Sequence, residues 1–192
     1  MTSAELRGQA ATPAEQARQI LTSNRYLVVA TATPGAAPWV TSVYFAHQGL
    51  DTLWWVSRPS TRHSRLIAAN PQVAITIFDS SVPVGHASAV YAEAWAQECS
   101  SELAADEVHL YSKRSIDDQV RAWTALDVTG PSELRLYRAQ VTALWILATG
   151  DGPDRRIRVD TGSSQRTLDA QHTEPCDTRL THPTAPAKGT LP

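Results

Sequence analysis

Between Arg25 and Arg58 the chain runs RYLVVATATPGAAPWVTSVYFAHQGLDTLWWVSR. Three stretches rich in Val, Tyr, Trp and Thr are cut by TPGAAP and HQGLD, each of which joins Gly to other turn formers. Stretches this short, punctuated this way, predict three successive antiparallel strands. Further on, QVAITIFD and SAVYAEAWAQEC read as two more strands around the loop SSVPVGHA. The segment SELRLYRAQVTALWILAT alternates apolar and polar residues over much of its length, which suits a long final strand, and RRIRVD is placed to pair back onto it. Many strands with few helices predict a small barrel, because closure removes the exposed edges that an open sheet presents.

The helices are few. In TPAEQARQILTSN, Thr12 caps, Pro13 takes the first helical position and Glu15 completes a capping box, so a helix is predicted over residues 13–23. SSELAADEVHLYSKR and DDQVRAWTAL both carry mixed helical periodicity with acidic first turns, favourable at the positive end of a helix dipole. The expected class is mainly β with a few helices (α+β), a single domain over residues 1–160. Residues 161–192, rich in Pro and Thr and poor in aliphatic side chains, form an expected disordered tail.

Composition excludes several functions. A formal net charge of −2 recruits neither nucleic acid nor an anionic membrane over the whole surface, so any anion site must be local. Cys99 and Cys176 lack zinc-type spacing, and His47, His63, His86, His109, His172 and His182 are scattered, so no metal site is expected. The N-terminus lacks the pattern of a signal peptide and no window is apolar enough for a membrane span; with only two cysteines and no disulfide framework, a cytoplasmic protein is expected. There is no GxSxG, GxGxxG or Walker-type loop. Asp79 and Glu93 have no visible acid/base partner, and no catalytic side chain is assigned.

Six tryptophans exceed the evident needs of one small core. Trp39, Trp54, Trp55, Trp95 and Trp145 fall on predicted strands, and the adjacent Trp54 and Trp55 must face opposite sides of theirs. One side is core; the other is expected to meet a partner subunit or a flat ligand. Interface hydrophobes and an aromatic cofactor wall both account for the excess.

The densest positive cluster lies in STRHSRLIAANPQVAITIFD, Ser60 to Asp79. Ser60 is the expected cap of a short helix, with Thr61, Arg62 and His63 in its first turn, where free N–H groups and the dipole favour an anion. Asn70-Pro71 ends the helix. A solvated basic helix start and a phosphate site both fit this composition.

The order TLWWVSRPSTRHSRLIAANPQVAITIFD resembles the strand, phosphate-binding helix start, NP corner and strand of the flavin-binding split-barrel family typified by pyridoxamine 5'-phosphate oxidase. The resemblance runs from the first helix to RRIRVD. It implies a Greek-key antiparallel split β-barrel that forms a homodimer, with FMN in the groove between subunits. By the same resemblance the phosphate is held by Arg62 and His63 with Ser60 and Thr61 beside them. The backbone of the strand Trp39, Val40, Thr41, Ser42 matches the family's segment that contacts the isoalloxazine ring, and Trp55, Val56 and Ser57 match the strand that precedes the phosphate site. Trp145 resembles the tryptophan that lines the flavin from the partner subunit, and Arg155 the arginine that follows it. The resemblance implies an oxidoreductase moving a hydride between flavin and a small organic substrate or nicotinamide. A deazaflavin-dependent reductase and a non-catalytic flavin or haem binder are the alternatives. The authentic oxidase carries Arg and His two residues apart before its cofactor arginine. This chain has TGDGPDR there, which argues against a vitamin-B6 oxidase.

Overall fold

A computed structural model describes residues 11–83, 87–147 and 155–161. Helix α1 (Pro13–Ser23) opens with the expected capping box. The Glu15 N–H donates to Thr12 Oγ1 at 3.2 Å, and the Thr12 N–H donates to a Glu15 carboxylate oxygen at 2.7 Å. It is followed by β1 (Tyr26–Thr31), β2 (Trp39–Tyr44), β3 (Ala46–Gln48) and β4 (Thr52–Ser57), then α2 (Arg62–Ala69), β5 (Gln72–Phe78) and β6 (Ala89–Glu98). Helices α3 (Ser101–Asp117) and α4 (Ala125–Val128) precede β7 (Arg135–Leu147) and β8 (Arg156–Val159). Among the described residues no helix is long and apolar enough to cross a membrane. The tail expected over residues 161–192 lies, from residue 162, outside the described residues.

All strand pairs are antiparallel, in the order β2-β1-β5-β6-β7-β4-β3, with β8 added to β7. The expected second strand is in fact two. Only Phe45 separates β2 from β3, yet these strands end opposite sides of the sheet. One residue cannot bridge an open sheet of this width, so the sheet must curl until its edges are neighbours. The result is a split barrel, mainly β with four helices among the described residues, as expected. Phe45, 1% exposed, plugs the seam.

Alternation then sorts the side chains. Leu27, Val29, Val43, Trp55, Ile75, Ile77, Leu144 and Ile146 fill the barrel, joined by Ile20 and Leu21 of α1 and Ile67 of α2. Trp55 stacks on Tyr137, ring centroids 5.8 Å apart and planes 10° from parallel. Trp54 faces outward as its neighbour's position requires, but the chain covers it itself. Trp54, Ala46 and Leu136 pack against Ala104, Val108 and Tyr111 of α3 and Val128 of α4. Its indole N–H donates to a Glu107 carboxylate oxygen at 2.6 Å. Thus neither a partner nor a ligand is needed on this side of β4, contrary to the expectation from the WW pair.

Two helical expectations change. The cap of α2 is Thr61, not Ser60, because the Ser64 N–H reaches the Thr61 hydroxyl. DDQVRAWTAL is mostly loop. After α3 ends at Asp117, Gln119 adopts φ 60° and turns the chain, so that only Ala125–Val128 is helical. The turn is held by Asp118, whose carboxylate accepts from Tyr44 Oη (2.8 Å), Arg114 Nε (2.8 Å) and Arg25 Nε (3.3 Å).

Candidate functional site

The start of α2 is built from the RPSTRHSR stretch, and every part of it answers to a local cause. The Arg65 N–H bonds to the Thr61 carbonyl at 3.1 Å and the Ser64 N–H to the Thr61 hydroxyl at 3.4 Å. That leaves the N–H groups of Arg62 and His63 without an acceptor among the described residues, pointing out of the helix start as a pair of anion donors. No acidic residue occupies the first turn. Arg58, one turn earlier, is engaged by Glu133 at 3.2 Å.

Arg62 is exposed and lies over the Trp39 ring, its guanidinium carbon 4.2 Å from the ring centroid. This contact joins two segments that the sequence placed at one site. Trp39 opens β2, a strand at the edge of the sheet, and is 39% exposed; Val40 is 61% exposed and Ser42 is also exposed. The Trp39 indole N–H donates to Thr41 Oγ1 at 2.9 Å and its carbonyl accepts from Thr31 Oγ1 at 3.2 Å, which fixes the ring at the barrel rim. On its side away from β1, the backbone of residues 39–42 meets no strand partner among the described residues. Arg62, the free N–H pair and this edge form one surface suited to a phosphate joined to a flat ring.

His63 turns the other way. It is 5% exposed, and its Nε2 sits 2.8 Å from Ser57 Oγ and 3.3 Å from Thr61 Oγ1. Burial holds its pKa below the ordinary histidine value, so the ring is neutral at pH 7. Its buried side chain ties the Thr61 cap of α2 to the end of β4. Trp55 is wholly inside the barrel and Ser57 is buried beside His63. Of this trio only Val56 is partly open, and it packs toward the α3 cluster.

Trp145 belongs to another wall. It lies between Leu144 and Ile146, both in the barrel core, and therefore faces outward, whereas Trp39 shares the side of β2 that carries the core residue Val43. Within one chain the two rings lie on opposite sides of the barrel wall. Arg155 is exposed just before β8, but the arginines that meet aromatic rings are its neighbours. Arg156 lies over Tyr91 at 4.0 Å and Arg158 over Trp145 at 5.7 Å. Sequence reasoning missed both, although the alternation in RRIRV puts residues 156 and 158 on one face. The segment TGDGPD between these elements lies outside the described residues, as does His86.

Among the described residues no group of three His, Cys, Asp or Glu side chains converges as a metal would need. Asp79 is engaged by the Ser81 hydroxyl (2.6 Å) and N–H (2.8 Å), which hold its pKa down, so it is a turn residue rather than an acid/base group.

No curated protein matches the sequence. Solved structures share the fold. A haem binding protein from Mycobacterium smegmatis superimposes with a TM-score of 0.60 at 19% identity, covering 82% of this chain and 61% of its own. Campylobacter jejuni ChuZ gives 0.60 at 12% identity, covering 78% and 61%. An FAD-binding protein from Mesorhizobium loti gives 0.51 at 20% identity, covering 68% and 91%. This chain thus spans 61% of the length of the first two. The sequence model of pyridoxamine 5'-phosphate oxidase matches residues 13–148, from the start of α1 through β7, and on that match the chain belongs to the pyridoxamine 5'-phosphate oxidase family.

Proposed function

We propose that the protein is an FMN-binding oxidoreductase whose cofactor lies with its phosphate at the start of α2 and its ring along the edge of β2. The observation that carries this is the Arg62–Trp39 contact, which sets a forked cation at the start of α2 4.2 Å from the centroid of a partly exposed aromatic ring on an edge strand. The donor set fits a phosphate monoester: a guanidinium gives charge-assisted bonds, and the helix start adds field and N–H groups without a competing carboxylate. Bound flavin would supply the hydride chemistry itself. The chain's own part is to hold the phosphate, to set the ring against β2 and to keep α2 in place through His63 and Ser57.

We further propose a homodimer. The outward faces of β2, β5 and β6 carry Val40 at 61%, Phe78 at 47% and Trp95 at 51% exposure, apolar side chains left open among the described residues. The outward position of Trp145 fits the same arrangement, since it lies on the barrel side opposite Trp39 and reaches a cofactor at Trp39 only from a second copy. That an FAD-binding protein and a haem binding protein share the fold is consistent with a cofactor in this region.

The test is direct. Protein mixed with FMN and passed through a desalting column should retain a flavin spectrum, and anaerobic NADPH or NADH should bleach it. Failure to retain FMN at micromolar concentration would refute the proposal, and a Soret band with added hemin in its place would favour haem carriage. Retention without bleaching by any nicotinamide would leave a flavin binder and remove the reductase.

A further inference from the structure

The face of α2 away from the helix start closes a second cleft, of about 280 Å³, between the helix and the ends of β6 and β7. Its floor is apolar: Ile67 and Ala68 of α2, Pro71 just before β5, and Ala96 of β6. Two hydroxyls are set into it from buried residues, Ser64 and Tyr137, each 2% exposed. They are held in place. Ser64 Oγ accepts from Thr61 Oγ1 at 2.8 Å, and Tyr137 Oη donates to Glu98 at 3.1 Å.

The charges decide what such a cleft accepts. Glu98 lines one wall, but its other carboxylate oxygen faces Arg135 Nε at 3.5 Å, so its charge is largely met. Arg65 lines the other wall, is exposed, and enters no ion pair among the described residues. The cleft therefore presents one uncompensated planar cation, two fixed hydroxyls and an apolar floor. A dianionic phosphate would meet Glu98 across the cleft, whereas a planar carboxylate matches a guanidinium fork with a single charge. The volume is at the low end for ligand pockets and suits one ring rather than a nucleotide.

We propose that this cleft binds a small monocarboxylic acid with a single-ring apolar body, its carboxylate on Arg65 and its ring on Ile67, Ala68 and Ala96. The cleft shares Pro59, Ser64 and Arg65 with the stretch that builds the start of α2 but is not lined by Thr61, Arg62 or His63, and its test is read separately from FMN binding.

The probe is benzoate, with benzamide as its neutral counterpart, followed by saturation-transfer NMR and calorimetry on the full chain. For nine non-hydrogen atoms a dissociation constant on the order of 1 mM is expected. Arg65→Gln should weaken benzoate at least about tenfold and leave benzamide unchanged. Ala68→Trp, at an exposed helix position, should fill the cleft and abolish both without lowering the melting temperature. Absence of benzoate binding to the wild type, or binding unaffected by Ala68→Trp, would overturn the proposal. Equal affinity for benzamide and benzoate would overturn the role of Arg65. Retained FMN binding in both variants is the expected outcome, and its loss would show that the cleft and the helix start are one site.

Discussion

Replacing Arg62 with Ala isolates the group on which the cofactor proposal rests. In the proposed FMN complex the guanidinium would give charge-assisted bonds to phosphate, and losing such a donor costs about 1.5–3 kcal/mol. Not all of this is seen in affinity. Without ligand the same guanidinium lies 4.2 Å over Trp39, and an exposed cation–π contact is worth about 0.5–1 kcal/mol. If binding draws Arg62 off the ring, the wild type gives up that contact while the variant has none to lose. The difference is roughly 1–2 kcal/mol, a five- to thirtyfold weakening of FMN. The two N–H donors of the helix start remain in the variant, which is why binding should weaken rather than vanish. Flavin fluorescence titration measures the effect, with riboflavin as control. Lacking phosphate, riboflavin should bind weakly and equally to both proteins. Unchanged FMN affinity in Arg62→Ala, or the same loss for riboflavin and FMN, would refute the reasoning and return the basic stretch to a solvated helix start.

Three further outcomes are expected. Glu107→Ala strips the partner from the buried Trp54 indole (2.6 Å) and from Arg138 (3.4 Å), so it should cost about 1–3 kcal/mol; an unchanged urea midpoint would show that α3 is held by packing alone. Burial holds the pKa of His63 and of half-buried His47 below the reference 6.5. Stability should therefore be level above about pH 6.5 and fall below it, as the unfolded chain takes up protons that the folded chain refuses. Urea midpoints at pH 7.5 and 5.5 measure that fall, which should be smaller in His63→Asn; equal falls would remove His63 from the account. Trp95→Arg, at a 51% exposed outward position, should shift sedimentation from a dimer to a species near the chain mass of 20.9 kDa, and a wild type already monomeric at micromolar concentration would sink the proposed assembly.

The strands were legible because a half-buried strand writes its period directly into the side chains: β5, β6 and the long β7 all follow alternation. The cap of α1 was equally local, needing only Thr12, Pro13 and Glu15. What failed was information that lives in distance. Nothing in YFAH marks Phe45 as the residue where the chain leaves one edge of the sheet for the other, since the break comes from barrel curvature and not from a turn former. The WW pair showed that Trp54 faces away from the core, but not what it meets. That depends on Glu107, 53 residues later in the chain, arriving on α3. Likewise DDQVRAWTAL has helical periodicity, yet Asp118 serves better as the acceptor of Tyr44 on β2, Arg25 before β1 and Arg114 on α3 than as a helical residue.

The same division runs through the candidate site. Residue type and position at a helix start marked Arg62, and its side chain faces where an anion would sit. His63, the adjacent basic residue, has the same signal but a different fate, because consecutive residues on a helix point about 100° apart and only one of the two can face outward. The inward one is buried against Ser57, loses its charge to desolvation and becomes a brace between α2 and β4. A family pattern that pairs two cations here is thus met by one cation and one brace. On the FMN proposal, phosphate binding would rest on Arg62 and the helix start, and a cation restored at position 63 would have to leave the Ser57 pocket to contribute. His63→Lys, whose longer stem can reach past the first turn, should strengthen FMN binding only at the expense of the brace. A rise in FMN affinity accompanied by a lower melting temperature is the expected signature. Tighter binding with unchanged stability would mean that His63 braces nothing.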